Sequence, residues 1–299
     1  MFPIIPRRNF WFFFSGSLVF LSLLSIGIFG LNLGIDFTGG TRTQIHFSED
    51  RPEKFSIQEV FQSAVGTEKG ESLSEVLDKN DTLIRSRSLS EEESIALEKA
   101  FSEKFSGAEI VATNTIGSSV GSVFKQRAMY AIVLAIAAII LFVAFAFRTV
   151  PEGYSSWKFG LSTIVALAHD IIIVMGFFAL INFFLGNEID SLFITALLTI
   201  LGYSVNDTIV VFDRLRENLL HDKTGHFEKV AEKSVWQTMR RSLSTSFSTF
   251  LVVGTMIFYF LGFDSLFSFF LALSLGMIIG TYSSIFLATP LLVSWHAKK

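Results

Sequence analysis

Six apolar stretches of about twenty residues or more recur along the chain, and that is the length a helix needs to cross a bilayer. They are Phe10–Leu31, Ala128–Phe147, Phe159–Gly186, Ser191–Phe212, Ser242–Phe263 and Ser265–Val293. Four of them carry no charge; Phe159–Gly186 is interrupted by His169 and Asp170, and Ser191–Phe212 contains Asp207. With 51% hydrophobic residues, 34 of the 299 being Phe, a single water-soluble core could not bury so much apolar surface, and disorder is excluded. The first stretch is longer than the apolar part of a signal peptide and lacks a clear small-residue cleavage site, so it is expected to be a span. The last is expected to bend or end near Pro290.

Basic residues set the orientation. Thirteen Lys and Arg lie in the tail 1–9, the loop 148–158, the loop 213–241 and the tail 294–299, whereas the short opposite loops Asn187–Asp190 and Asp264 have none. Positive residues stay inside, so both termini are expected in the cytoplasm and the long segment 32–127 outside. That segment holds 11 basic and 16 acidic residues and reads as soluble. Thr41–Phe47, Leu73–Lys79, Asp81–Ser88 and Ala108–Thr115 have strand patterns. Ser56–Val65 has helical spacing, and Ser90 followed by Glu91, Glu92 and Glu93 starts a second helix running to about Phe105. The order β-α-β-β-α-β predicts a small α+β, ferredoxin-like unit. The expected fold is therefore a mainly α membrane protein: a six-helix transmembrane bundle with this extracytoplasmic domain between spans 1 and 2.

Charge inside a bilayer is costly, about 2.5–3.5 kcal/mol for an Asp at a helix centre on insertion scales. Asp207 nonetheless lies inside the fourth span and Asp170 near the middle of the third. A carboxyl group there is a two-state element that responds to proton concentration, which makes Asp207 a proton-relay candidate; Asn would glue helices as well without the ionisation cost. Thr195, Thr199, Gly202 and Asn206 form a polar stripe on the same span, expected for the threonines to be an interhelical hydrogen-bond seam. Arg241 heads the fifth span and is either a membrane-edge anchor or a partner for a carboxylate. His169 and Asp170 point about 100° apart on a helix, so they cannot both line one narrow path, though either could titrate. Asp213, Arg214 and Arg216 sit at the membrane edge, as gating residues or as a solvated helix end with local ion pairs. Gly276, Gly280 and Ser284 repeat small-xxx-small, a packing signal.

Several chemistries are absent. Net charge is −3, which gives no case for nucleic acid. There is no Cys, and the five His form no HxxxH or HExxH pair, so neither thiolate chemistry nor a metal is expected. No nucleotide fingerprint, Gly-x-Ser-x-Gly or Gly-x-Gly-Asp motif occurs. Neither an enzyme nor a cofactor is expected.

The loop after the first span, Gly34-Ile35-Asp36-Phe37-Thr38-Gly39-Gly40-Thr41, resembles the signature at the same place in the SecD/SecF family. The run from Leu197 through Gly202-Tyr203-Ser204-Val205-Asn206-Asp207-Thr208 to Asn218 closely resembles the fourth span of its SecF branch. His169-Asp170, Gln237–Ser246 and Gly280–Phe286 fit it too, so the likeness covers nearly the whole chain. Departures are Ser118-Ser119, where many members place a Pro between Gly117 and Gly121, and Lys158, where Arg is common. The resemblance implies a resistance-nodulation-division type protein of the bacterial cytoplasmic (inner) membrane. It implies work with a SecD-like subunit and the Sec translocon channel, using protons to help pull preproteins out of the far side of the bilayer. Asp207 would carry the proton, with Arg241 as its counter-charge, and Gly34, Asp36, Gly39 and Gly40 belong to the outer-loop signature. Two rival expectations are a proton-driven exporter half for a small molecule or lipid, and a scaffold in which Asp207 and Arg241 only lock helices.

Overall fold

A computed structural model describes residues 3–49, 51–66, 71–75, 80–148, 154–185, 188–221, 226–261 and 264–296. The chain opens with α1 (Arg8–Phe29), followed by the single turn α2 (Ile35–Thr38) and β1 (Gly40–Phe47). Then come α3 (Lys54–Val65), β2 (Glu71–Glu75), β3 (Asp81–Ser86), α4 (Glu91–Lys104) and β4 (Ala108–Ile116). The rest is helical: α5 (Ser118–Ala146), α6 (Ser156–Leu185), α7 (Ser191–His221), α8 (Phe227–Tyr259), α9 (Asp264–Ser283), a π turn at Ser284–Ala288, and α10 (Thr289–His296).

Among the described residues, six helices are long and apolar enough to cross a membrane. They begin or end near the apolar stretches, with two differences. The expected loop 213–241 is largely helix, because α7 runs on to His221 and α8 starts at Phe227. Leu215, Leu219, Val230 and Val235 are buried there, so an amphipathic pattern carries both helices past their apolar lengths. The last span neither ends nor breaks at Pro290. Its ladder widens into the π turn just before that residue, and Thr289 Oγ1 donates to Ser284 O five residues back, at 3.0 Å.

Between α1 and α5 the four strands pair antiparallel in the order β2-β3-β1-β4. Alternation in β1 sends Ile45 and Phe47 into a core with Ile57 and Phe61 of α3, Ile84 of β3, and Leu97 and Phe101 of α4. Ser90 caps α4 as expected: its hydroxyl accepts from Glu93 N while Glu93 Oε2 accepts from Ser90 N. The second strand is Glu71–Glu75; the expected continuation over 76–79 lies outside the described residues.

The bundle packs where side chains vanish. A Cβ on Gly176 of α6 would overlap Ser22 of α1, and one on Gly276 of α9 would overlap Ile200 of α7. Gly280 likewise faces Ser204, so the small-residue stripe of α9 seats on α7 as its spacing implies. Thr195 and Thr199 differ from expectation. Both are exposed and donate to the carbonyls of Ser191 and Thr195 of their own helix, and among the described residues neither bonds a neighbouring helix.

Candidate functional site

Two consecutive serines, the last residue of α9 and the first of the π turn, face α6 and α7, and each reaches a different buried carboxylate. Ser283 Oγ donates to Asp170 Oδ2 of α6 at 2.8 Å. Ser284 Oγ donates to Asp207 Oδ2 of α7. Ser284 is also the first residue of the π turn, so the carboxylate contact and the change in helical winding share one residue. Side chains of adjacent helical residues diverge by about 100°, which is how one helix serves two neighbours.

Asp207 is 9% exposed and Asp170 only 1%. Besides Ser283, Asp170 Oδ2 accepts from Ser204 Oγ at 2.5 Å, and Oδ1 lies 2.9 Å from His169 Nδ1. His169 and Asp170 thus share a hydrogen bond even though their backbone positions diverge around the helix. Arg241 and Ser242, where the apolar length of α8 begins, are close enough to act on Asp207 electrostatically. Among the described residues Arg241 bears on Asp207 by charge alone, and Ser242 Oγ, buried beside it, has no hydrogen-bond partner of normal geometry.

Asn206 and Arg241 are exposed, on the flanks of α7 and α8. With Thr195, Thr199 and Gly202 they leave a polar strip on the outside of the bundle. Beside it, Tyr203 OH donates to Ser246 Oγ at 2.8 Å, and Ser246 Oγ lies 2.6 Å from Thr281 Oγ1, joining α7, α8 and α9. At the far end of α7, Asp213 pairs with Arg216 at 2.7 Å and Arg214 with Glu217 at 2.6 Å. Arg214 Nε also donates to Gln237 of α8, and Arg216 to Ala146 O of α5. These residues tie helix ends together.

The loop after α1 is a junction. Gly34 N donates to Ile189 O, and Ile189 N to Asn32 O, each at 2.8 Å. Asp36 Oδ2 accepts from Ser191 N, capping α7 beside Asp190, whose Oδ1 accepts from Phe193 N. Arg85 of β3 pairs with Glu188 at 2.8 Å. Gly39 has φ +71°, and a Cβ there would come within 2.7 Å of Ser118 Cα, while one on Gly121 would come within 2.8 Å of Gly39 N. Gly40 has φ +132° and a Cβ on it would meet Ser86 O at 2.5 Å. The starts of α5 and α7 and the outer sheet therefore meet at Gly34, Asp36, Gly39 and Gly40. Among the described residues no group of three His, Asp or Glu side chains could hold a metal ion.

Sequence reasoning found both carboxylates but not the serines that hold them, nor Arg85 and Glu188. Ser284 lies on the small-residue stripe, but the span also carries Ser265, Ser268 and Ser274, and nothing in the sequence singles the pair out.

Comparison with known proteins bears on the same residues. The family described as protein export membrane protein SecD/SecF, C-terminal, matches residues 96–298, and the SecD/SecF GG motif matches residues 24–50. Protein translocase subunit SecF of Thermobaculum terrenum is 35% identical over 308 residues, covering 100% of this chain and 95% of that one. The SecF subunit of Rhodothermus marinus is 36% identical and covers 99% and 94%. Among solved structures, SecDF of Thermus thermophilus, a translocon-associated membrane protein, matches at 30% identity with a TM-score of 0.85. The match takes in 99% of this chain but 39% of that longer one. SecDF in a super-membrane-facing form matches over the same shares at 31% identity, with a TM-score of 0.67.

Proposed function

Because the chain belongs to the SecF branch of the SecD/SecF family of protein-export membrane proteins, we propose that Asp207 couples the proton gradient to a late step of preprotein translocation. Membership makes it a multi-pass membrane protein and an accessory subunit of the Sec pathway. The protein sits in the bacterial cytoplasmic membrane with both termini inside and residues 32–127 outside, a topology supported by the distribution of Lys and Arg. Strand order 2-3-1-4, with both helices sharing one core with the sheet, supports a ferredoxin-like outer domain.

The observation that carries the proposal is the contact of Asp207 with Ser284 at the π turn. An ionised Asp207 holds Ser284 by a charge-assisted hydrogen bond and attracts Arg241, while a neutral one holds both more weakly. Asp207 takes one proton from the outer side, the joint at Ser284 loosens, the helices shift, and the proton leaves inward. One charge crossing the field is worth about 2.3 kcal/mol per 100 mV. Displacement of α7 reaches the outer domain through Asp36, the Gly34–Ile189 pairing and the Arg85–Glu188 ion pair. The pair of SecDF matches, equal in coverage but with TM-scores of 0.85 and 0.67, supports a family that changes shape.

A SecD-like subunit is the partner for the exposed strip of Thr195, Thr199, Gly202, Asn206 and Arg241, since acyl chains offer no hydrogen bonds to the Asn206 amide or the Arg241 guanidinium. The translocon channel and the emerging preprotein are the remaining partners, with no cofactor and no enzymatic step. One observation favours the exporter reading instead: an apolar cleft of about 340 Å³ between α8 and α9, lined by Leu243, Phe247, Phe250, Met277 and Ile278. That reading requires transport without the translocon.

The decisive experiment replaces Asp207 with Asn and measures proton-gradient-dependent export in membrane vesicles. Loss of the gradient-dependent fraction is expected; undiminished export overturns the proposal.

A further inference from the structure

Asp170 is the most enclosed carboxylate of the bundle, and the step at Asp207 does not use it. Four features of its surroundings bear on what it does. Its Oδ2 accepts two hydroxyls, Ser204 and Ser283. Its Oδ1 faces His169 Nδ1 at 2.9 Å. His169 is 4% exposed, yet its other nitrogen, Nε2, is buried with no hydrogen-bond partner. Finally, His169 and Ser15 are the polar side chains along an open, mainly apolar groove of about 370 Å³ between α1 and α6, otherwise walled by Phe12, Val165 and Ala168. A water reaching the groove finds side-chain hydrogen-bond partners only at His169 and Ser15.

We propose that His169 and Asp170 form a second proton-carrying site, fastened to the same helical joint as Asp207. The site rests on the reading that the protein moves protons through its bundle. A neutral imidazole whose Nδ1–H donates to Asp170 leaves an unpartnered lone pair on the buried Nε2, beside the groove. A hydronium ion entering the groove gives its proton to Nε2, the Nδ1–H bond breaks, and that proton bonds to Asp170 Oδ1. The imidazole ends neutral with its proton on Nε2, water is left behind, and Asp170 is a neutral carboxylic acid. The reverse transfer empties the site.

The serines make both charge states tolerable. Ser283 Oγ lies 2.8 Å from Asp170 Oδ2 and 3.1 Å from Gly280 O; Ser284 Oγ contacts Asp207 Oδ2 and lies 3.0 Å from Thr281 O. Facing an ionised carboxylate, each hydroxyl donates to it. Facing a protonated Asp207, Ser284 can accept from the acid and turn its own hydrogen to the Thr281 carbonyl three residues back; Ser283 keeps donating to Asp170 Oδ2, which is uncharged once Oδ1 carries the proton. A hydroxyl does both by rotating. The joint is therefore clamped to α6 and to α7 by adjacent residues, each clamp stronger when its carboxylate is charged. The titratable and charged groups facing Asp170 are His169 on its own helix, Tyr282 of α9, whose ring stacks on that of His169, and Asp207 of α7, one serine along. Arg241 of α8 acts through Asp207, and α1 presents Ser15, bonded to Tyr282 OH at 2.9 Å.

Acid-induced infrared difference spectra of the purified full chain test this without any export assay. Two protonated-carboxyl bands from water-poor sites are expected, one lost in Asp207→Asn and the other in Asp170→Asn. Ser283→Ala should displace the second band while keeping it, which also covers the case in which Asp170→Asn misfolds. His169→Gln should slow its appearance after a rapid drop in pH. A spectrum in which neither Asp170→Asn nor Ser283→Ala alters any carboxyl band overturns the inference. That result would leave the role of Asp207 standing, just as unchanged export in Asp207→Asn would leave this site standing.

Discussion

Asp36 Oδ2 accepts a hydrogen bond from the backbone N–H of Ser191 at 2.9 Å, across 155 residues of chain. The helix that carries Asp207 is thus capped by a side chain from the loop that leads into the outer domain. An exposed N-terminus would otherwise leave that N–H to water, and the helix could slide relative to the sheet.

Removing this cap should loosen the junction without dismantling the bundle. Asp36→Ala is expected to cost about 1 kcal/mol, and Asp36→Asn less because an acceptor remains. Glu188→Ala, which removes the carboxylate 2.8 Å from the buried Arg85, should cost more, about 3 kcal/mol. Thermal unfolding of the purified protein ranks the three, and gradient-dependent export should fall in the same order. Export that survives Glu188→Ala intact would mean that the junction transmits nothing.

Glycine substitutions should separate by neighbour rather than by helix. Gly176→Ala places a methyl group into the backbone of α1 at Ser22 and is expected to lower stability by about 1–3 kcal/mol. Gly202→Ala meets nothing within 4 Å and should be neutral or stabilising by up to ~1 kcal/mol. Both lie mid-helix in apolar sequence, so equal unfolding temperatures would contradict the α1–α6 packing.

Ser284→Ala deprives Asp207 of its donor. A hydrogen bond to a charged group contributes about 1.5–3 kcal/mol, and a loss of that size is expected at neutral pH. The informative comparison is the double variant. If Ser284 acts through Asp207, then Ser284→Ala adds little on top of Asp207→Asn, whereas additive losses in thermal unfolding would show two independent effects.

The chain has no cysteine, so single thiols can be introduced without background. Thr199→Cys and Thr245→Cys lie on exposed faces of α7 and α8, and Leu134→Cys on an exposed apolar face of α5. Labelled with a thiol-reactive photocrosslinker in a complex with a SecD-like subunit, the first two should cross-link to that subunit on illumination and Leu134→Cys should not. Cross-linking from α5 alone would move the partner to the other side of the bundle.

What could be read in advance follows from how strongly the solvent dictates composition. A bilayer demands long apolar runs, so the spans stood out, and an Asp in one stood out for the same reason. α7 and α8 were cut short because beyond the membrane edge only an amphipathic face remains, seen in Leu215, Leu219 and Val235. Thr195 and Thr199 were placed in a seam because their spacing gives a face but not its direction; their hydroxyls are content with their own helix. Nothing local distinguishes Ser283 and Ser284 from the other serines of the spans, since their role is set by carboxylates 113 and 77 residues away.

The π turn at Ser284–Ala288 means the last helix carries one residue more than its length requires. Were that residue taken back into regular winding, everything after it would rotate by roughly 100° and slip about 1.5 Å along the axis. His296 stands at the end of that lever, its ring 4.7 Å from Phe227 and 5.6 Å from Tyr154. The aromatic cluster at the foot of the bundle is therefore a dial: a change in winding deep among the helices would be read there as a ring changing neighbours.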